Sequence, residues 1–165
     1  MQDEKAWFCH NIHTYQSSMY TLAYSILQNN EDAKDAVQDC IWKAYDHLDT
    51  LKNKAKFKPW VMKILANTAY DIYRRRRDLL CLNDQWDIPS PNESVDINTK
   101  LSLWDAVQSL RMPYREVVVL FYYEDFSIKE ISKMMDSAPN AVKQQLSRAR
   151  RQLKAKLGDQ LDKEV

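Results

Sequence analysis

The stretch that decides the fold is SIKEISKMMDSAPNAVKQQLSRARRQLKAKL, Ser127 to Leu157. Ser127 and Glu130 form a Ser-x-x-Glu capping box, which satisfies two orphan backbone donors at a helix start. Ile128, Ile131, Met134 and Met135 give the short helix that follows one apolar side. Asp136-Ser137 interrupts it: Asp tolerates a left-handed turn, and Ser is suited to cap the next helix. Pro139 falls in the first turn of that helix, where its missing N–H costs little. Val142, Leu146, Ala149, Leu153 and Leu157 then mark one buried face. The remaining faces carry Lys143, Gln144, Gln145, Ser147, Arg148, Arg150, Arg151, Lys154 and Lys156, and from Asn140 to Leu157 there are six cations and no anion. A short helix, a turn and a second helix bearing charge of one sign fit a helix-turn-helix that places its second helix in a DNA major groove. A solvated basic helix at a chain end is the plainer alternative.

Outward from this element, composition narrows the class. The chain has 165 residues and a single glycine, Gly158. One glycine is too few for a phosphate-cradling loop or a turn-rich β architecture, so long helices with short links are expected. No run of about 20 apolar residues occurs and the charged N-terminus is unlike a signal peptide, which implies a cytoplasmic protein. Cys9, Cys40 and Cys81 are odd in number and widely spaced, against a disulfide framework. The net charge of +1 conceals strong segregation. Residues 1–50 hold eight acids and three bases, 51–80 nine bases and two acids, 81–99 four acids and no base, and 100–165 twelve bases and nine acids. Two separate basic elements and an acidic face imply two nucleic-acid contacts and a basic protein partner.

The apolar periodicity organises the rest. Ile12, Tyr15, Met19, Leu22 and Ile26 predict a helix from roughly residue 4 to 28. Asn29-Asn30 ends it and caps the next, with Glu31 and Asp32 at the new N-terminus. Ala33, Val37, Cys40, Ile41, Ala44 and Leu48 form the second stripe; Asp35, Gln38, Asp39, Trp42, Lys43 and Tyr45 lie off it. After a lysine-rich loop, Pro59 opens a third helix with Trp60, Ile64, Leu65, Thr68 and Ile72 facing inward, ending in Arg74 to Arg77. Three such helices can enclose one small core. CLNDQWDIPSPNESVDINT, from Cys81 to Thr99, has no helical period and reads as an acidic linker. Leu101, Trp104, Val107 and Leu110 then predict a helix, and a restart at Met112-Pro113 leads into VVVLFYY. That run has high strand propensity; it is assigned to helix, because no partner strand exists.

Catalytic and metal chemistry find little support. Cys9, His10 and His13 form C-H-x-x-H, a spacing that offers at most three ligands with no second cluster nearby, so a plain helix face is the preferred reading. His47 is isolated, and there is no Ser/His/Asp set or paired carboxylate in an apolar setting. No enzymatic activity, cofactor or small-molecule substrate is therefore expected. The methionines and most aromatics fall on the buried stripes.

Two blocks of sequence together resemble one family over about residues 15–160. YTLAYSILQNNEDAKDAVQDCIWKAY with FKPWVMKILANTAYDIYRRRR, and SLRMPYREVVVLFYYEDFSIKEISKMM with AVKQQLSRARRQLKAKL, are similar in type and order to the extracytoplasmic-function (ECF) sigma factors of bacterial RNA polymerase. The resemblance implies an all-α protein of two small helical domains joined by a flexible acidic linker, the C-terminal one a helix-turn-helix. The corresponding boundaries are 1–80, 81–97 and 98–165. It implies an alternative sigma factor that binds core RNA polymerase and directs promoter-specific initiation.

By the same resemblance, Asp35, Val37, Gln38, Asp39 and Trp42 would dock on the polymerase's largest subunit. The loop Lys52 to Lys58 and the outer face of the third helix would take the minus-ten element. Lys54, Lys56, Lys58, Lys63, Asn67, Tyr70, Arg74 and Arg75 are the candidates there: cations hold phosphate, Asn pairs with base edges, and Tyr70 or Phe57 could stack on an extruded base. Trp60 is assigned to the core, and the arginine run equally suits a helix C-terminus. Lys143, Gln144, Gln145, Ser147, Arg148 and Arg151 would read the minus-thirty-five element. Where the family usually has glycine this chain has Asp136 and often-glycine is Asn140, both tolerant of left-handed backbone. Gln144-Gln145 replaces a common Ser-Arg pair, and Gln favours adenine edges. An anti-sigma factor, often membrane-anchored, is the further partner implied. Two other functions fit parts of the chain: a stand-alone helix-turn-helix regulator, and an RNA-binding or scaffold protein, which matches the charges but not the paired blocks.

Overall fold

The computed structural model describes residues 2–82 and 102–158, and every element among them is helical. The expected linker lies, from residue 83 on, outside the described residues. Helix α1 spans Gln2–Leu27, α2 Asn30–Asp46 and α3 Phe57–Leu82, with two short 3₁₀ turns, Leu48–Thr50 and Lys54–Lys56, between α2 and α3. Then come α4 (Leu103–Gln108), α5 (Tyr114–Val118) continued by a π turn (Val119–Tyr123), α6 (Ile128–Met134) and α7 (Pro139–Leu157).

Local chemistry sets the boundaries. The Asn29 side chain accepts from the Asp32 N–H at 3.0 Å and caps α2. Asn53 caps the 3₁₀ turn before α3 through the Ala55 N–H, 3.0 Å. Ser102 caps α4 through the Asp105 N–H, 3.1 Å. The VVVLFYY run is helical, first α and then π, and it is buried through Val117 to Leu120. Burial on a helix between helices has overridden strand propensity there.

The first three helices pack pairwise around Met19, Leu22, Ile26, Ala33, Val37, Cys40, Phe57, Val61 and Leu65. The inward face of α3 is rotated relative to the expected stripe: Val61, Met62, Leu65, Ala66, Thr68 and Ala69 are buried, whereas Trp60, Ile64 and Ile72 are only partly so. Cys40 sits inside, its thiol pushed up to about 12 by burial, while Cys9 is exposed. In the C-terminal half, Ala106, Val107, Leu110, Val118, Val119, Ala149, Leu153 and Leu157 make a second cluster under α7.

The two halves do not stand apart. Val117, Leu120, Phe126, Ile131 and Met134 belong to the same cluster as the three-helix core, with α1 against α5 and α3 against α6. Nothing in the periodicity announces this docking. Where α1 ends, Arg115 reaches across: it donates to the carbonyls of Ser25 and Ile26, the latter at 3.2 Å, and to Leu110 O at 2.8 Å. A helix C-terminus leaves carbonyls without intrahelical partners and carries partial negative charge, so a guanidinium is the complementary cap. α1 has no basic residue in its own last turn; the cation comes from the other half. Gln28 and Gln108 close the same corner, Gln28 Nε2 donating to Gln108 O at 2.5 Å and Gln108 Nε2 to Ser25 Oγ at 3.3 Å.

Candidate nucleic-acid and protein interfaces

The helix-turn-helix is built as its sequence implies, with three refinements. Both arms of the capping box are present: Glu130 N–H to Ser127 Oγ at 3.1 Å and Ser127 N–H to Glu130 Oε1 at 3.3 Å. Asp136 makes the turn with φ 50°, the left-handed conformation that an Asp tolerates. Ser137 does not cap α7; its hydroxyl turns back to Met135 O at 3.3 Å, and the cap position is Ala138, followed by Pro139 at the helix start. Asn140 lies within α7 and is helical, so its tolerance of left-handed backbone is not used. Gly158 ends α7 at φ 52°.

The five buried positions of α7 are Val142, Leu146, Ala149, Leu153 and Leu157, as the spacing requires. This leaves Lys143, Gln144, Ser147, Arg148 and Arg151 exposed, with Gln145 half-buried. Arg150 is held to the side by the Tyr122 hydroxyl, 2.9 Å. Such a helix offers a continuous outward surface of cations and amides, able to hold phosphate and address base edges.

On the other half, Lys54, Lys56, Asn67, Arg74 and Arg75 are exposed, and Lys58, Lys63 and Tyr70 are half-buried. Several of these cations already have partners. Lys58 Nζ lies 3.3 Å from Glu124 Oε2 and 3.2 Å from Glu124 O, and Lys63 Nζ lies 3.5 Å from Asp136 Oδ1. Arg74 pairs with Asp71 at 3.7 Å, and Arg75 Nε donates to Asp71 O at 3.4 Å. Lys54 stands over the Trp7 ring, 4.9 Å from its centroid. Phe57 is 1% exposed and packed among Trp7, Phe8, Tyr15 and Trp60, so the stacking role entertained for it is excluded. Arg76 departs from the rest of the arginine run by binding Asp32 Oδ1 at 2.5 Å, which ties the end of α3 to the start of α2.

The acidic face of α2 is free. Asp35, Gln38, Asp39 and Trp42 are exposed while Val37 is buried. Trp42 is 71% exposed, which removes the alternative of a core tryptophan. A large aromatic on an acidic helix face is costly to leave in water, and such residues anchor protein interfaces. The Cys9 and His13 side chains are exposed on α1, and no group of three or more His, Cys, Asp or Glu among the described residues is arranged to hold a metal. No helix among them is long and apolar enough to cross a membrane.

Three residues that the sequence did not single out organise the site between the halves. Arg115 is the clamp already described. Next to it, Glu116 is fully buried, neither carboxyl oxygen accepts a hydrogen bond from a described residue, and burial pushes its carboxyl up to about 8. Glu124 is the partner of Lys58. The signal available was a pair of opposite charges, Arg115-Glu116, opening an otherwise apolar run.

Comparison with known proteins places both halves. Residues 12–78 match the family model for Sigma-70 region 2, and residues 100–153 that for Sigma-70, region 4. The chain is 30% identical over 156 residues to the RNA polymerase sigma factor SigV of Bacillus subtilis, covering 94% of each. It is 28% identical over 148 residues to the ECF RNA polymerase sigma factor SigM of the same organism, covering 86% of this chain and 89% of that one. In fold it is similar to the sigma factor RpoE of Bartonella quintana, solved with the anti-sigma factor NepR, at a TM-score of 0.77 and 24% identity over 94% of this chain and 96% of that chain.

Proposed function

The chain belongs to the ECF sigma factors, alternative sigma factors that direct transcription initiation, and from that premise we propose how its surfaces divide the work. The domain containing α1 to α3, residues 1–80, binds core RNA polymerase and takes the minus-ten element. The linker covers 81–97. The domain at 98–165 takes the minus-thirty-five element, and the protein works in the cytoplasm without catalysing a reaction of its own.

Asp35, Gln38, Asp39 and Trp42 form the polymerase contact. Lys54, Lys56, Lys58, Lys63, Asn67, Tyr70, Arg74 and Arg75 hold the minus-ten strand, the cations on phosphate and Asn67 and Tyr70 on bases. Lys143, Gln144, Gln145, Ser147, Arg148 and Arg151 enter the major groove upstream. An anti-sigma factor, as found with the structurally similar Bartonella protein, is the regulatory partner.

The observation that carries this division is the outward face of α7. Five apolar residues on one side are buried, and the other sides expose cations and amides without an acid. Its opposite number, the acidic α2 face with exposed Trp42, repels DNA and suits a basic protein surface.

The test is to mix the chain with core polymerase and a library of random promoters and score transcripts with defined starts. Specific starts that depend on the added chain are expected. Tight binding to duplex DNA with no transcript would instead indicate a stand-alone regulator.

A further inference from the structure

A cavity of about 460 Å³ lies where α3 meets the C-terminal half, within the size range of small-molecule sites. Helix α3 contributes Tyr70, Tyr73, Arg74 and Arg77, and the other half contributes Glu116 and Gln145, with Met112, Pro113 and Met135 as apolar lining. Three acceptors among these groups are buried and receive no hydrogen bond from a described residue: Glu116 Oε1, Glu116 Oε2 and Gln145 Oε1. Native proteins rarely leave buried polar groups without a partner. Folding has already taken these three out of water, so a donor that reaches them gains most of a hydrogen bond. Arg74 and Arg77 are exposed, which puts positive charge at the mouth and the unpartnered acceptors at the back.

Such a lining asks for a flat ligand with several N–H donors at one end and an anion at the other. Guanine meets the first demand. Its N1–H and N2 amino group donate side by side, matching the two oxygens of one carboxylate, and the second N2 hydrogen remains for Gln145 Oε1. Bases are commonly read along this edge while stacked on aromatic side chains, and phosphate suits the arginine forks. Adenine sets an amino donor beside an acceptor nitrogen, so an ionised carboxylate would face a lone pair.

We propose that the cavity binds a guanine nucleotide, with Glu116 and Gln145 reading the base, Tyr70 and Tyr73 flanking it, and Arg74 and Arg77 holding the phosphate. The ligand is a free small molecule, a different class of partner from polymerase and promoter, although Tyr70, Arg74 and Gln145 are shared with the DNA surfaces proposed above.

Ionisation of Glu116 is part of binding. Burial raises its carboxyl to about 8. The ionisable groups facing it, Arg74, Arg77 and the phenols of Tyr70 and Tyr73, all come from α3, and its neighbour Arg115 is turned to the end of α1. Below 8, guanine draws the carboxylate from its neutral form with release of a proton. Affinity therefore rises about ten-fold per pH unit up to 8 and levels off above it. The neutral acid, with one donor and one acceptor, suits adenine instead.

The test is calorimetric titration of the full chain with guanosine and adenosine 5′-monophosphates, GMP and AMP, which carry the same phosphate. GMP should bind one-to-one with a Kd below about 100 μM at pH 8, and the ratio of GMP to AMP affinity should rise about ten-fold from pH 6 to pH 7. Glu116→Gln replaces one acceptor by a donor, a pattern that pairs with adenine, so it should reverse the preference and remove the pH dependence of the ratio. Arg77→Ala, at an exposed position, should weaken GMP about three- to ten-fold and leave guanosine, which has no phosphate, within about two-fold. No GMP binding at about 1 mM, equal affinity for GMP and AMP at every pH, or a Glu116→Gln chain that still prefers GMP would each overturn the site.

Discussion

Arg115 donates to the carbonyl of Ser25, a residue 90 positions earlier, and so a side chain of the C-terminal half completes the end of the first helix of the N-terminal half. Two more carbonyls, of Ile26 and Leu110, share the same guanidinium. Burial lowers its pKa to about 10, which still leaves it charged at neutral pH. Replacing Arg115 with Met keeps the apolar stem and strips three buried carbonyls of their donor. Unsatisfied buried acceptors cost about 1–3 kcal/mol each before relaxation, so a loss of about 2–5 kcal/mol in unfolding free energy by denaturant titration is expected. A change below about 0.5 kcal/mol would show that the corner is not occupied in solution.

Glu116 makes folding stability depend on pH. The groups facing it across the cavity are Tyr70, Tyr73, Arg74 and Arg77 from α3, with Ser137 and Gln145 from its own half. Its carboxyl is raised from 4.5 to about 8 by burial. Below 4.5 the group is protonated in both folded and unfolded chains and costs nothing. As pH rises from there towards 8 the unfolded chain gains by ionising and the folded chain does not, so stability falls by up to about 1.4 kcal/mol per pH unit. Glu116→Gln should remove that slope, measured as unfolding free energy at pH 5.5, 6.5 and 7.5. Identical slopes for variant and parent would place Glu116 in water.

Arg148 is exposed on the outward face of α7. Arg148→Ala should weaken duplex binding and reduce the slope of log affinity against log salt by about 0.9, the contribution of one phosphate contact. Unchanged affinity and slope would remove Arg148 from the DNA surface.

Trp42 separates folding from association. At 71% exposure it contributes little to the core. Trp42→Ala should therefore shift stability by no more than about 0.5 kcal/mol, yet cost at least about 2 kcal/mol, roughly 30-fold, in affinity for core polymerase if it is an interface anchor. Thermal denaturation and a binding titration on the same sample check both halves of the statement. A large stability loss with intact binding would reverse the assignment.

Most of the helical plan was legible because it is local. The capping box at Ser127, the left-handed Asp136, the Asn29 cap and the apolar steps of α7 depend on residues within a turn or two of each other. The exposed acidic face of α2 followed from the same periodicity. What was not legible is long-range. On the inward face of α3, Leu65 and Thr68 were expected, but Val61, Met62, Ala66 and Ala69 were not, and the two alanines are small residues that a search for large apolar ones passes over. The candidate site was read as two independent surfaces, because the pairing of Lys58 with Glu124 and of Lys63 with Asp136 depends on how the halves dock. Arg76 looked like one of four equivalent arginines and is a structural partner of Asp32. Arg115 and Glu116 looked like an ordinary charged step at a helix start.

The most direct measurement is a titration of the labelled full chain into core RNA polymerase, alongside Asp39→Arg, whose helicity by circular dichroism should match the parent because Asp39 is exposed. Saturable one-to-one binding by the parent, and its loss in Asp39→Arg, is the expected result. Absence of binding by the parent, or undiminished binding by the variant, would contradict the placement of the polymerase contact on the acidic face of α2.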